Sequence, residues 1–218
     1  MLSDATPPAG TLRLSLTGSG LALLWLAAVL AGFAVMVDAD MTPGEKGVSP
    51  IIRPIGLVSP RAADRPLLLV FAHPRCPCTM ATLTELNHIL TDCPGTADVR
   101  IFLMTPSEAA NEWLTSPLWD EAKALPDTTV VADPKGAMAT RFDVRTSGHV
   151  LLYAADGRLL FSGGITSARG EVGDSFGKQS IVALLQGKRG VKPEAEVFGC
   201  PLFNSSVTSA GGKESSAP

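Results

Sequence analysis

Two cysteines separated by a single proline, Cys76 and Cys78, are the residues of this chain best suited to chemistry. They follow an apolar, strand-like run at residues 67–71. After them, apolar residues recur at helical spacing over residues 81–90. The pattern therefore predicts a buried strand that leads directly into a pair of thiols at the start of a helix.

This position favours an ionised thiol. The first turn of a helix has unpaired N–H groups and about half a positive charge, which stabilise a thiolate. Pro77 suits a first turn because it has no N–H to leave unpaired, and Arg75 adds a positive charge beside Cys76. We predict Cys76 as the exposed nucleophile and Cys78, a little inside the helix, as the resolving thiol.

Three roles remain open for the pair: a structural disulfide, a redox couple, or two soft metal ligands. A structural bond across one residue would close a very small loop and remove little chain entropy. Redox exchange and metal binding are therefore the two main hypotheses. A catalytically idle interaction module is the third.

The segment from Phe71 to Cys76 resembles the strand-to-active-site turn of thioredoxin-fold proteins, in which Phe71, Pro74 and Cys76 have counterparts. Those proteins have two residues between their cysteines, whereas this chain has a CxC. A second stretch, residues 133–144, resembles the corresponding region of membrane-anchored extracytoplasmic thioredoxin-like reductases. The resemblance implies an α/β fold, with a central mixed sheet and helices on both faces, and thiol-disulfide oxidoreductase activity without a cofactor.

Metal binding remains an alternative because of His149. The loop that carries a cis-proline in the resembling family has no proline here at residues 145–149, so it is expected to be trans. Its last residue, His149, is expected near the thiols, and two thiolates with an imidazole suit copper(I) or zinc. The copper-delivery proteins of cytochrome oxidase assembly share the fold and use two cysteines and a histidine.

Several other residues are assigned supporting roles. His73 is expected to shape the turn or tune Cys76. Thr146 and Ser147 could donate hydrogen bonds to a Cys76 thiolate or a peroxide. Cys93 follows a helix end and is expected to be an apolar filler. Cys200 has aromatic neighbours within a polar tail, which suggests a docked segment with a bond to Cys93 or a resolving role for Cys76.

The order of predicted elements is strand, helix, strand, helix, strand, short helix, hairpin and helix. We divide the chain into a leader (1–12), an apolar anchor (13–37), an extended linker (38–64), a thioredoxin-like domain (65–190) and a mostly flexible tail (191–218). The tail is expected to be ordered at most as far as Phe203. The linker is rich in Pro and Gly, and its apolar part could pair with the domain as an extra edge strand.

The apolar run is long enough to span a bilayer, and its length and poor cleavage site favour an anchor over a cleaved signal peptide. Arg13 precedes it and acidic residues follow, which predicts a single-pass inner-membrane protein with a periplasmic domain. Cycling thiols fit that oxidising compartment. The expected partner is a protein thiol or disulfide, for example in an apo-cytochrome or an oxidase-assembly component. A formal charge of −3 without basic runs gives no sign of a nucleic-acid footprint, so no nucleic-acid partner is expected.

Overall fold

The computed structural model describes residues 11–56, 64–106 and 111–203, which fall into two compact units divided between Met41 and Thr42. Residues 1–10 of the predicted leader lie outside the described residues. So do residues 57–63 of the linker, the predicted helix start at Ser107 and Glu108, and the tail from residue 204.

The first unit contains one helix, α1 (Thr11–Met41), which is longer than the predicted anchor. Its segment Gly18–Met41 has 24 residues and a mean hydropathy of 2.4, so it is long and apolar enough to cross a membrane. Because a signal sequence can have the same length and composition, the choice of an anchor over a cleaved signal stays a prediction.

The second unit is built on a five-stranded mixed sheet with the strand order β3-β2-β1-β4-β5. β1 pairs in parallel with β2 and antiparallel with β4, and all six residues of β1 are buried. The strands are β1 (Leu67–Ala72), β2 (Asp98–Thr105), β3 (Thr128–Pro134), β4 (His149–Tyr153) and β5 (Leu159–Gly164).

Among the residues of this unit that the structure describes, five helices accompany these strands. They are α2 (Pro77–Asp92), α3 (Asn111–Leu114), α4 (Pro117–Ala124), α5 (Ala137–Arg141) and α6 (Phe176–Leu185). Two hydrophobic clusters separate the layers: α2, α4 and α6 pack on one face of the sheet, and α5 packs on the other. The arrangement confirms the predicted fold class, a central mixed sheet with helices on both faces.

Helix α2 is held in place from both sides. Its apolar residues Leu83, Leu86 and Ile89 are fully buried against the sheet. A buried carboxylate on the same helix, Glu85, accepts a hydrogen bond from the backbone N–H of Gly173 at 2.6 Å and pairs with Lys178 of α6 at 2.8 Å. The N-terminus of α2 is therefore fixed at the carboxyl end of the central strand β1.

The compact unit begins earlier in the chain than the predicted domain. The backbone N–H of Leu159 donates to the carbonyl of Ile51, and Ile52 forms an antiparallel bridge with Arg158. The linker therefore pairs beside β5 as its apolar pattern suggested, although Ile51 and Ile52 are 76% and 61% exposed.

The described part of the predicted tail, residues 191–203, is packed on the domain. The backbone N–H of Ser162 donates to the carbonyl of Pro193 at 2.9 Å, and Val197 is fully buried. The main chain of these residues pairs with β5 and with the loop before β4, so the packed structure continues beyond residue 190 to the end of the described residues.

Candidate functional site

The turn between β1 and α2 presents the first cysteine at the helix N-terminus, as predicted. Cys76 is the N-cap of α2, with an extended backbone and Pro77 immediately after it. Its backbone N–H donates to the carbonyl of His73 at 3.0 Å, and its carbonyl accepts from the N–H of Thr79. This tight turn holds the Cys76 sulfur beside the positive end of the helix.

Three sulfur atoms meet at this turn. Those of Cys76, Cys78 and Cys200 lie within 4.8 Å of one another, and those of Cys76 and Cys200 are 3.0 Å apart. All three cysteines are free. The prediction that Cys76 is exposed was wrong: Cys76 is only 2% exposed and Cys78 8%, because the docked C-terminal segment brings Cys200 against them.

The three thiols have different acidities. Burial alone would raise the pKa of Cys76, but hydrogen bonds from the side chain and backbone of Cys200 and of Cys78 outweigh it and lower that pKa. Burial and the neighbouring Cys76 raise the pKa of Cys78. Burial and the hydrogen bond with Cys76 raise the pKa of Cys200 to about 12. The cluster therefore favours one thiolate, at Cys76, with two thiols as its hydrogen-bond donors.

A positive charge that acts on the other two thiols belongs to Arg169. Its guanidinium donates to the carbonyl of Gly199 and acts to lower the pKa of both Cys78 and Cys200. The guanidinium of Arg75, by contrast, lies over the ring of Trp113, 4.4 Å from its centroid. Sequence reasoning missed Arg169, which is distant from the cysteines in the chain and lies outside any motif.

Cys200 is carried by an extended segment, residues 197–203, which we call the strap. It runs antiparallel to the loop before β4, with a bridge between Thr146 and Pro201. The N–H of Ser147 donates to the carbonyl of Cys200 at 2.9 Å, and the N–H of Leu202 donates to the carbonyl of Arg145 at 2.8 Å. The sequence signal for this docking was present, since an apolar, aromatic-flanked cysteine is unusual in a polar tail.

Three predicted supporting residues build the turn and the loop. The hydroxyl of Ser147 accepts from the N–H of His73 at 3.0 Å and lies 3.2 Å from the hydroxyl of Thr79. The hydroxyl of Thr146 donates to the carbonyl of Glu45 at 2.6 Å. These contacts place His73 in its expected turn-shaping role. They give Thr146 and Ser147 partners other than the Cys76 sulfur.

His149 does not join the cysteines, so its predicted place in a metal site was wrong. It is fully buried in β4, and its Nε2 lies 2.9 Å from the hydroxyl of Ser162. Alternation along β4 puts His149 on the same face as Leu151, which packs in the α5-side cluster, and therefore opposite to α2. Burial, with a smaller contribution from Lys46, lowers the pKa of His149 to about 4.

Cys93 is also separate from the cluster. It is 4% exposed and forms the C-cap of α2, whereas Cys76 is the N-cap of the same 16-residue helix. A helix of that length spans about 24 Å, which excludes the alternative of a bond between Cys93 and Cys200 in this conformation. The predicted role of a buried apolar filler fits its position.

The strand order, together with a cysteine-bearing helix that follows the central strand, defines the class: this is a thioredoxin-fold protein with a CxC pair in place of CxxC. The described residues contain no cis peptide bond, so the loop before β4 is trans as predicted. No protein-family model matches the chain, and no curated protein does.

Solved structures do match. A hypothetical protein from Sinorhizobium meliloti 1021 is 21% identical with a TM-score of 0.53, covering 74% of this chain and 93% of that one. An uncharacterized conserved protein from Geobacillus kaustophilus is 16% identical with a TM-score of 0.52, covering 74% and 92%. A thioredoxin-like protein in the oxidized form is 13% identical with a TM-score of 0.46, covering 66% and 97%. The first two support the fold of the domain.

Proposed function

We propose that this chain is a membrane-anchored, extracytoplasmic thiol-disulfide oxidoreductase whose nucleophile is Cys76. The observation that carries the proposal is the asymmetric cluster: one cysteine with a lowered pKa lies at a helix N-terminus, with two thiols directed at it. The thiolate is the attacking species in disulfide exchange, and a second thiol nearby is needed to release the product. A cysteine with a purely structural role would need neither a lowered pKa nor a second thiol in contact with it.

The proposed reaction reduces a disulfide in a partner protein. The Cys76 thiolate attacks one partner sulfur, forming a Cys76–partner disulfide and releasing the other partner sulfur as a thiolate that takes up a proton. A second cysteine of the cluster, as its thiolate, then attacks the Cys76 sulfur. This step forms a disulfide within the chain and frees the second partner thiol. The partner gains two electrons and two protons, and the two protein thiols lose them.

The proposed location rests on α1 and on charge. Arg13 precedes the apolar run at residues 14–37, and Asp38, Asp40 and Glu45 follow that run. Because positive charge is retained on the cytoplasmic side, the domain is placed outside. Thiols that cycle through disulfides suit that compartment. The partner would then be a protein thiol or disulfide there, such as an apo-cytochrome or an oxidase-assembly component.

The test is trapping of the mixed disulfide. Full-length protein and its single Cys→Ser variants are incubated with a disulfide-bonded peptide, and adducts are measured by mass spectrometry after acid quenching. We expect Cys76→Ser to form no adduct and to lose turnover. The matched control, Cys93→Ser, removes a buried thiol outside the cluster and should behave as the unmodified chain. Full turnover in Cys76→Ser would overturn the proposal.

A second candidate function, copper(I) binding, is favoured by the same three sulfurs. Thiolates are the ligands that copper(I) prefers. Two sulfurs that share a metal can be at most about 4.6 Å apart, twice the ~2.3 Å metal–sulfur distance of zinc thiolates. The cluster lies within 4.8 Å, so a small movement would satisfy that limit. In this candidate the ligands are Cys76, Cys78 and Cys200, with Cys200 in the place predicted for His149.

A further inference from the structure

The strap is held beside the nucleophile Cys76 by several specific contacts. Two main-chain hydrogen bonds and the bridge at Pro201 tie it to residues 145–147. A further contact holds the residue before Cys200, since Arg169 donates to the carbonyl of Gly199. These bonds fix the main chain on both sides of Cys200, so only rotation of its side chain can change the position of the sulfur.

Side-chain packing anchors the strap at both ends. Val197 is fully buried, and Leu202 is 4% exposed within the α5-side cluster. Between them, Gly199 passes so close to the loop that a Cβ atom would lie 1.9 Å from the carbonyl oxygen of Ser147. Only glycine can occupy this position without a clash. The close packing of the strap beside Cys76 therefore requires a glycine at residue 199.

The thiol that the strap carries is in direct contact with the thiol of Cys76. Their sulfurs are 3.0 Å apart, and a disulfide is about 2.0 Å long, so a movement of about 1 Å would join them. Cys200 is also more exposed than the two buried cysteines of the CxC. A reductant arriving from solvent would therefore meet Cys200 first.

We propose that Cys200 is the resolving cysteine of this protein, so that the redox couple is Cys76–Cys200 and Cys78 is a positioning residue that donates a hydrogen bond to the Cys76 sulfur. This inference rests on the proposed function, because it names the second thiol of that reaction. Since Cys76 is 2% exposed beneath the strap, the strap must swing away to admit the partner disulfide. It then returns to complete the exchange.

The chemistry of the return step follows from the charges. While Cys76 is a thiolate, its negative charge helps to raise the pKa of Cys200. Once Cys76 is bonded to the partner that charge is gone, and the guanidinium of Arg169 favours ionisation of Cys200. The Cys200 thiolate attacks the Cys76 sulfur, the Cys76–Cys200 bond forms, and the partner sulfur leaves and is protonated. The new bond holds the strap closed until an external dithiol attacks Cys200.

The test is the identity of the disulfide in the oxidised full-length protein. A tryptic digest places Cys76, Cys78 and the control residue Cys93 on one peptide and Cys200 on another, because trypsin cleaves after Arg75, Arg100 and Arg189. A Cys76–Cys200 bond therefore joins two peptides, whereas a Cys76–Cys78 bond joins none. We expect the joined peptide in the unmodified chain, in Cys78→Ser and in the control Cys93→Ser. It should be lost in Cys76→Ser and Cys200→Ser.

A second variant tests the strap without removing a sulfur. Gly199→Ala places a Cβ against the Ser147 carbonyl and should displace the strap. We expect loss of the joined peptide together with faster alkylation of Cys76. The mixed disulfide with the peptide substrate should accumulate in Cys200→Ser and in Gly199→Ala. In Cys78→Ser it should form more slowly, because the Cys76 sulfur has lost a hydrogen-bond donor, but it should still be resolved by Cys200.

The outcomes separate this inference from the proposed function. An oxidised chain without the joined peptide, with the mixed disulfide trapped in Cys78→Ser instead, would assign resolution to Cys78 and overturn the role of Cys200. Exchange at Cys76 would stand in that case. Absence of any adduct in every variant would overturn the proposed function itself.

Discussion

Acid destabilisation through His149 is the prediction that the structure makes most quantitative. The histidine is fully buried, close to the hydroxyl of Ser162, and burial lowers its pKa from 6.5 to about 4. The folded protein therefore keeps it neutral at pH values where the unfolded chain protonates it. Above about pH 6.5 the histidine is neutral in both states, and the free energy of unfolding is at its full value with respect to this residue. That free energy decreases as the pH falls from there towards 4.

The size of the effect follows from the difference in pKa. About 2.5 units at ~1.4 kcal/mol each give about 3.4 kcal/mol when both states are protonated, and about 2.5 kcal/mol at pH 4.5. With a urea slope of about 2 kcal/mol per molar, the midpoint of unfolding should fall by about 1 M between pH 7.5 and 4.5 because of this residue alone.

The assay compares the unmodified sequence with His149→Gln in a fragment that begins at Thr42, where the second compact unit starts. Glutamine can place a polar atom near that of Nε2 and does not titrate. The variant should lose about 2.5 kcal/mol less on acidification. His73, whose pKa is also lowered, acts in the same direction in both proteins and cancels in the difference. Equal acid sensitivity of the two proteins would refute the burial argument.

Two further predictions concern topology and metal. An extracytoplasmic reporter fused after Pro218 should be active, because Arg13 lies before the apolar segment and acidic residues lie after it; an active cytoplasmic reporter instead would reverse the orientation. In competition titrations with a copper(I) chelator, Cys200→Ser should lower copper affinity sharply and His149→Gln should leave it unchanged, since only the cysteine belongs to the cluster. An affinity no tighter than that of an exposed dithiol peptide would remove the copper candidate.

Local patterns were sufficient to predict the elements that carry the CxC. The apolar run at residues 67–71 became β1, and the helical spacing that follows became α2, with Cys76 as its N-cap. Both depend on short-range periodicity and on the chemistry of a helix start, which a sequence displays directly. The thioredoxin-like order of elements followed for the same reason.

The misplaced residues depended on long-range geometry. Whether His149 faces the thiols is decided by the register of β4 against Phe71, and a shift of one residue would reverse its face. The burial of Cys76 depends on a contact with Cys200, 124 positions further along the chain. Neither the strand register nor the contact between the two cysteines can be recognised from a local pattern. The sequence therefore identified these residues as candidates but could not predict their relative positions.

Two glycines at the end of β5 show how the sequence makes room for the C-terminal segment. In the sequence alone, a pair of glycines such as Gly163 and Gly164 indicates no more than the end of a strand. In the structure, a Cβ at either position would lie within 2.7 Å of the main chain of Ala195 or Glu196. They leave room for the C-terminal segment to pair beside β5, where the N–H of Gly164 donates to the carbonyl of Glu196. Together with Gly199, they allow the C-terminal segment to pack closely against the domain as far as Cys76. The position of Cys200 beside Cys76 therefore depends on these three glycines. A fragment ending at residue 190 would keep the CxC but lack Cys200, and with it the hydrogen bonds that help lower the pKa of Cys76.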